Sequence, residues 1–319
     1  MSSSRSQSQS TSVGAAQAVA TGWSRVREHW TSVGAAYLLS VLLALPLAGA
    51  MQSTLAQSLR HREAADNLLS SWDGLWYASF SAQAQGIAGT FDAGIVGIGA
   101  VLRALDGLVT GAMFALPLPL MVAGLCYLLG WTFLSGGLLA RFGGDERGLI
   151  RLGAQHFGRM LTLAVVGWIA WAVVLAKMLP WLTAWVADHN RDVIDERVHA
   201  AWIVGKYLVV WAFMLAIRLI VDYAKVAAIA DPECTAMTAL QRGMSLCRAR
   251  TGAIVGVTVR LGVVGLGLMV LYWVVAPSAE QANAFKILIA FGISQTSVIA
   301  RVTMRAWGLA SAQALAAGR

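Results

Sequence analysis

Long apolar runs separated by short polar stretches dominate this chain. A helix that crosses a bilayer needs about 20 mostly apolar residues. Six runs come close to or exceed that length and are read as spans: Val33–Met51, Ala112–Ala140, Met160–Val186, Ala201–Val221, Gly252–Ala276 and Ala284–Gly308. Pro117 and Pro119, in "LPLPL", stand where the second is entered and predict a kink there.

The polar stretches are not alike. The opening "MSSSRSQSQSTS" is low in complexity and reads as part of a disordered tail over residues 1–15, with one transmembrane helical domain over 16–319. Between spans one and two lies a long segment, about 52–111. It holds an aromatic group, Trp72, Trp76, Tyr77 and Phe80, then Ile95, Ile98, Val101, Leu102, Leu105 and Leu108 at helical spacing. Asp92, Arg103 and Asp106 interrupt that helix, so it is expected to lie on the membrane surface as a cap. A structural cap, a lid and a docking surface all fit these residues.

Two connections look like amphipathic elbows. In the first, Asp145 is the N-cap candidate ahead of "ERGLIRLGAQHFGRM". In the second, Asp231 and Pro232 open a helix whose apolar face is expected to be Met237, Leu240, Met244 and Cys247. Arg248 and Arg250 fall at its C-terminal end, where cations suit the helix dipole. Basic elbows of this kind suit a surface of anionic lipid.

Composition sharpens the class. Of 319 residues, 58% are hydrophobic and 13% charged, about half the charged fraction of soluble domains. The net charge of +8 is spread along the chain, which argues against nucleic acid as a partner. Alternating the connections from the N-terminus, one side collects 14 Lys and Arg and the other 6. By the positive-inside rule both termini are expected in the cytoplasm, with segment 52–111 outside. Trp23, Trp30 and Trp307 suit the interfacial belt.

The stretches "DYAKV", "GGLLARFGGDERG" and "FSAQAQGIAGTF", the first two followed by basic helices, resemble a family of uncharacterised bacterial six-span inner-membrane proteins. The layout is similar to the membrane domain attached to some glycerophosphodiester phosphodiesterases, although no phosphodiesterase domain is recognisable here. The resemblance implies a bacterial inner-membrane protein and brings no catalytic residues.

Candidate chemistry is sparse. Arg218, Asp222 and Lys225 stand at i, i+4 and i+7, one face of a helix. Arg260 in span five and Arg301 in span six are expected at similar depth, with Asp222 the one acid nearby. Intramembrane charges are costly and pair, snorkel or face the bundle interior. The set therefore reads either as a structural cluster or as an anion site for a lipid headgroup or anionic solute. Ser294, Gln295, Thr296 and Ser297 form a polar midplane in span six that bonds between helices or lines water.

Gly252 and Gly256, with Gly262, Gly265 and Gly267 beyond, predict close packing of span five. The five histidines show no metal-ligand spacing, the three cysteines no paired motif, and no catalytic or nucleotide-binding signature is present.

The expectation is thus an all-α polytopic membrane bundle with an outer helical cap and two cytoplasmic elbows. It is expected to be non-enzymatic, without metal or cofactor. Its expected role is that of an accessory or assembly protein acting through anionic lipids, a membrane-protein partner or a second copy of itself. The alternative is a transporter or channel for an anionic solute or lipid.

Overall fold

The structure, a computed structural model, describes residues 14–60, 73–91, 99, 106–107, 110, 116–191, 193, 195–231, 233–276 and 284–318. Among them every regular element is helical. The helices are α1 (Ala15–Glu28), α2 (Trp30–Leu59), α3 (Gly74–Gln83), α4 (Leu118–Phe142), α5 (Leu149–Val173), α6 (Leu179–His189), α7 (Glu196–Ala230), α8 (Ala236–Ala249), α9 (Thr251–Val275) and α10 (Ala284–Ala317). A π-helical turn, Val174–Met178, joins α5 to α6 without a break. Six helical stretches are long and apolar enough to cross a membrane, with α5, the π turn and α6 counting as one. The protein is a multi-pass membrane protein.

The helix α1 and the C-terminal part of α10 meet at one end of the bundle, here the terminal end. Arg250, at the start of α9, donates to the carbonyls of Leu315 and Gly318 at 2.9 and 3.0 Å. Arg159 of α5 donates to those of Ala228 and Asp231 at 3.0 and 3.2 Å. Gln313 donates to Leu139 near the end of α4 at 2.9 Å. The C-termini of α4, α7 and α10 all point this way, each leaving carbonyls without helical partners. Two arginines and an amide satisfy some of them, and the cations also meet the negative ends of the helix dipoles.

The core is concentrated at this same end. One buried cluster joins Ala18, Leu139, Tyr223, Val226, Leu246, Ile254 and Leu315; a second joins Val26, Val33, Leu138, Phe142, Val302 and Ala306. Toward the distal end the same helices expose apolar side chains, such as Leu42, Leu208, Leu266 and Leu288. Length explains the division. The 35 residues of α7 rise about 52 Å at 1.5 Å per residue, well beyond the roughly 30 Å of hydrocarbon. The excess forms a base in which helices bury one another. In the distal half one further buried cluster, Val174, Leu175, Leu179, Val210 and Met214, ties the π turn and α6 to α7. Elsewhere the apolar surface stays largely exposed, as suits helices in lipid, where its burial drives no association.

Several local readings change. The residues of α1 follow directly on the expected tail, yet they form an amphipathic helix laid along the end of α10. A β-carbon on Gly22 would stand 2.8 Å from the Ser311 amide nitrogen. Residues 1–13 lie outside the described set. Trp307 is drawn into this contact, stacking near Trp23 at 4.9 Å between centroids and donating its Nε1–H to the Val19 carbonyl at 2.8 Å. It is an internal tie here and not part of a lipid-facing belt.

The expected first elbow continues unbroken into the third span as the opening turns of α5, with Gly148 as N-cap. Asp145 instead accepts from the Arg147 amide and guanidinium. The second elbow, α8, is a separate helix, but Thr235 is its N-cap and Asp231 binds Arg242 at 2.7 Å. Its buried face is Ala239, Gly243 and Leu246; of the expected face, Leu240 and Cys247 flank it against the core and Met244 is half-buried, while Met237 is 65% exposed. Small size decides this: Ala239 and Gly243 let α8 touch the backbone of α7, which Met237 and Met244 would hold off.

Pro117 is the N-cap of α4 and Pro119 sits in its first turn, so the pair opens that helix without kinking it. Of the span-five glycines, Gly256 makes a close contact, with Ala15 of α1; Gly252, Gly262 and Gly267 meet nothing within 4 Å of an added β-carbon.

At the distal end, Trp76, Phe80 and Ala88 pack with Leu55 and Leu59 of α2, and Trp76 Nε1 donates to Ser58 at 3.1 Å. The residues that carry the expected surface helix, Ile95 to Leu108, lie outside the described set apart from Gly99, Asp106 and Gly107.

Candidate functional site: a basic belt around the bundle

The i, i+4, i+7 spacing on α7 brings its three charges together. Asp222 Oδ2 lies 3.6 Å from Arg218 Nε, and Asp222 Oδ1 lies 3.5 Å from Lys225 Nζ. The three sit in different surroundings. The Lys225 side chain is 10% exposed and that of Arg218 is 55% exposed. Asp222 thus compensates a buried ammonium from beneath and leaves the guanidinium turned outward.

Arg260 and Arg301 do not join this set. Arg260 folds back on its own helix and donates to the Gly256 carbonyl at 3.0 Å. Arg301 makes no hydrogen bond or ion pair with a described residue. The register of α9 and α10 also separates the two. Leu261 faces Gly308 and Gly265 faces Met304, so Arg301 falls level with Leu268. That is eight residues, about 12 Å, beyond Arg260 toward the distal end.

What these arginines share is position relative to the core. On α7 the densely buried stretch begins at Val221, just past Arg218; on α9 it is Ile254 and Val257, just before Arg260; on α10 it begins at Val302, just past Arg301. All three are exposed. They mark a broad basic zone, a belt about 12 Å deep from Arg260 to Arg301, between the buried base and the more exposed apolar halves. Arg305, one turn below Arg301, belongs to the same belt. Its guanidinium lies 5.6 Å from the Tyr127 ring and 5.4 Å from the Trp131 ring, both on α4, and its Nη1 donates to the Tyr127 hydroxyl at 2.7 Å. Sequence reading missed this arrangement because Tyr127 and Trp131 are unremarkable members of an apolar run.

The polar midplane is divided. Gln295 Oε1 accepts from the Tyr37 hydroxyl of α2 at 2.9 Å, an interhelical tie. Thr296 bonds the Gly292 carbonyl of its own helix. Ser294 and Ser297 are half-buried beside them.

Lys206 was also missed. It is 9% exposed, with Nζ 3.3 Å from the Thr183 hydroxyl and 4.5 Å from the Tyr207 ring centroid. No carboxylate among the described residues pairs with it. Nearby, His189 stacks on Trp185 at 4.1 Å and bonds its carbonyl at 2.9 Å, which commits the ring to packing.

The remaining reactive groups are scattered. Burial pushes the Cys247 thiol above its ordinary range, away from the nucleophilic thiolate. Among the described residues no three His, Cys, Asp or Glu side chains converge on a metal-sized space. Comparison with protein families, with curated proteins and with solved structures finds no match to this chain.

Proposed function

We propose that this is a non-enzymatic accessory or assembly protein of a bacterial inner membrane, acting through anionic lipids and a membrane-protein partner or second copy. The observation that carries the reading is the basic belt. Exposed arginines on α7, α9 and α10 line the zone between the base and the apolar halves, where lipid phosphates can meet a protein. A path for solute through the bundle calls for charges turned to a shared interior. Here Arg218, Arg260, Arg301 and Arg305 are exposed on the periphery, and Gln295 is engaged by Tyr37.

The orientation belongs to the same proposal. With 14 Lys and Arg on the terminal side against 6 on the other, both termini lie in the cytoplasm. The resemblance to bacterial six-span inner-membrane proteins supports that placement. Native mass spectrometry of the protein extracted in mild detergent tests the role. Co-purifying anionic phospholipid or a partner subunit is expected; a bare monomer overturns it.

A second reading, a transporter for an anionic solute or lipid, draws on Lys206. A buried cation with no carboxylate beside it, in the apolar part of α7, is a default binding-site candidate. Flux of an anionic solute into vesicles carrying the protein, lost in Lys206→Met, is what would favour this reading over the first.

A further inference from the structure

Arg305 differs from the other arginines of the belt in being held. Its guanidinium is flanked by the Tyr127 and Trp131 rings at 5.6 and 5.4 Å and anchored to the Tyr127 hydroxyl at 2.7 Å. A guanidinium carries five N–H donors, and the anchor engages one nitrogen. The residue as a whole is exposed, on the face of the bundle where α4 meets α10. Arg301 lies one turn away on the same face of α10, also exposed. Side chains four apart on a helix have β-carbons about 5–6 Å from each other. Neither arginine forms an ion pair with a described acid. The result is a pair of adjacent positive charges, one held by aromatic rings, at the level where hydrocarbon gives way to the base.

Cation–π attraction to two rings and the hydroxyl anchor hold the guanidinium in place while leaving its charge. A guanidinium held in this way is available to an oxyanion, and bidentate contact with phosphate is the geometry its fork suits best. Basic pockets between span helices are where headgroups with more than one phosphate settle.

We propose that Arg301 and Arg305, with Tyr127 and Trp131 behind them, form a specific site for the phosphates of an anionic phospholipid, and that it favours a lipid with two phosphodiesters in one headgroup. The acyl chains lie along the exposed apolar surface of the distal halves. This rests on the reading of the protein as a lipid-interacting one and assigns that role to one place in the fold.

The test is native mass spectrometry of the full chain in detergent with added lipids, beside melting curves. Wild type is expected to retain a diphosphatidyl lipid more than a singly charged phospholipid. Each of Arg301→Gln and Arg305→Gln is expected to weaken retention about fivefold, the factor matching ~1 kcal/mol per basic residue near an anionic surface. Tyr127→Phe should weaken it less, and Arg191→Gln, at the distal end and outside the belt, not at all. All four variants should melt as wild type does without added lipid. Undiminished retention by the Arg301→Gln/Arg305→Gln double variant overturns the site while leaving the general lipid reading intact. A wild type that retains no anionic lipid overturns both. Inorganic phosphate raising the melting temperature as much as the lipid does, through the same arginines, overturns the lipid headgroup as ligand.

Discussion

Gly243 of α8 lies against Ala224 of α7 with no space between them. A β-carbon added to the glycine would stand 2.7 Å from the Ala224 amide nitrogen and 2.8 Å from the Ile220 carbonyl oxygen. Neither contact can be relieved by turning a side chain, because both atoms are backbone. Gly243→Val should therefore lift α8 off α7, at about 1–3 kcal/mol for overpacking a tight contact. The measurement is thermal unfolding in detergent, with Gly262→Ala as control, since nothing lies within 4 Å of its added carbon. Equal melting of the two variants would disprove the docking described for α8.

The charges on α7 give an asymmetric prediction. Asp222→Ala strands Lys225, which is 8% exposed, and should lower the melting temperature clearly. Breaking a buried pair costs about 3–5 kcal/mol in soluble interiors, and less where the stranded group can reach water or lipid phosphate. Arg218→Ala should cost roughly 0–1 kcal/mol, the range for an exposed pair. If Arg218→Ala is the more damaging of the two, the burial order is wrong.

Tyr37 and Gln295 tie α2 to α10. Interhelical hydrogen bonds in membranes average about 0.6 kcal/mol. Tyr37→Phe and Gln295→Leu should each cost about that much. The double variant should cost no more than either one, since both remove the same bond. Additive losses would show that the two side chains act independently.

Acid should loosen the base from outside. The Arg242 guanidinium, then the Glu233 amide, hold the Asp231 carboxyl below its usual range; the Arg147 side chain, then its amide, hold Asp145 down to about 2. Each folded value lies below the unfolded value of about 3.9. The contribution is thus complete above about pH 4 and is lost as pH falls through the folded value. A spin label at Ser245 on α8 should be equally ordered at pH 7 and pH 5 and grow mobile only in stronger acid. Asp231→Asn should show the mobile spectrum at every pH. Loosening between pH 7 and pH 5 would point to another group.

Orientation is open to direct measurement. Reporters fused at Gln85 and Arg191 should register the outer side, and one fused after Arg319 the cytoplasm. A cytoplasmic signal from either of the first two would reverse the topology.

The six spans were legible in the sequence for a physical reason. In hydrocarbon every backbone N–H and C=O must be satisfied within its own helix, so a span has to be a long, continuous apolar run. The grouping of Arg218, Asp222 and Lys225 was legible too, since it depends on the pitch of one helix alone. Contacts between helices were not. Only the packed structure lays α1 on α10, because Gly22 and Ser311 are ordinary small residues until they are opposed. The centre of the buried face of α8 followed from closeness of backbone, so it falls on Ala239 and Gly243 with Leu246, while Leu240 and Cys247 of the apolar stripe sit at its edge and Met237 is left exposed. Arg301 was expected beside Arg260 and Asp222, but the register of α9 on α10 sets it about 12 Å beyond Arg260, and the packing of α4 on α10 brings Tyr127 and Trp131 to Arg305, one turn from it. Hydropathy fixes that a helix crosses the membrane, whereas the depth of each residue relative to its neighbours depends on how far one helix slides along another, which interlocking side chains decide.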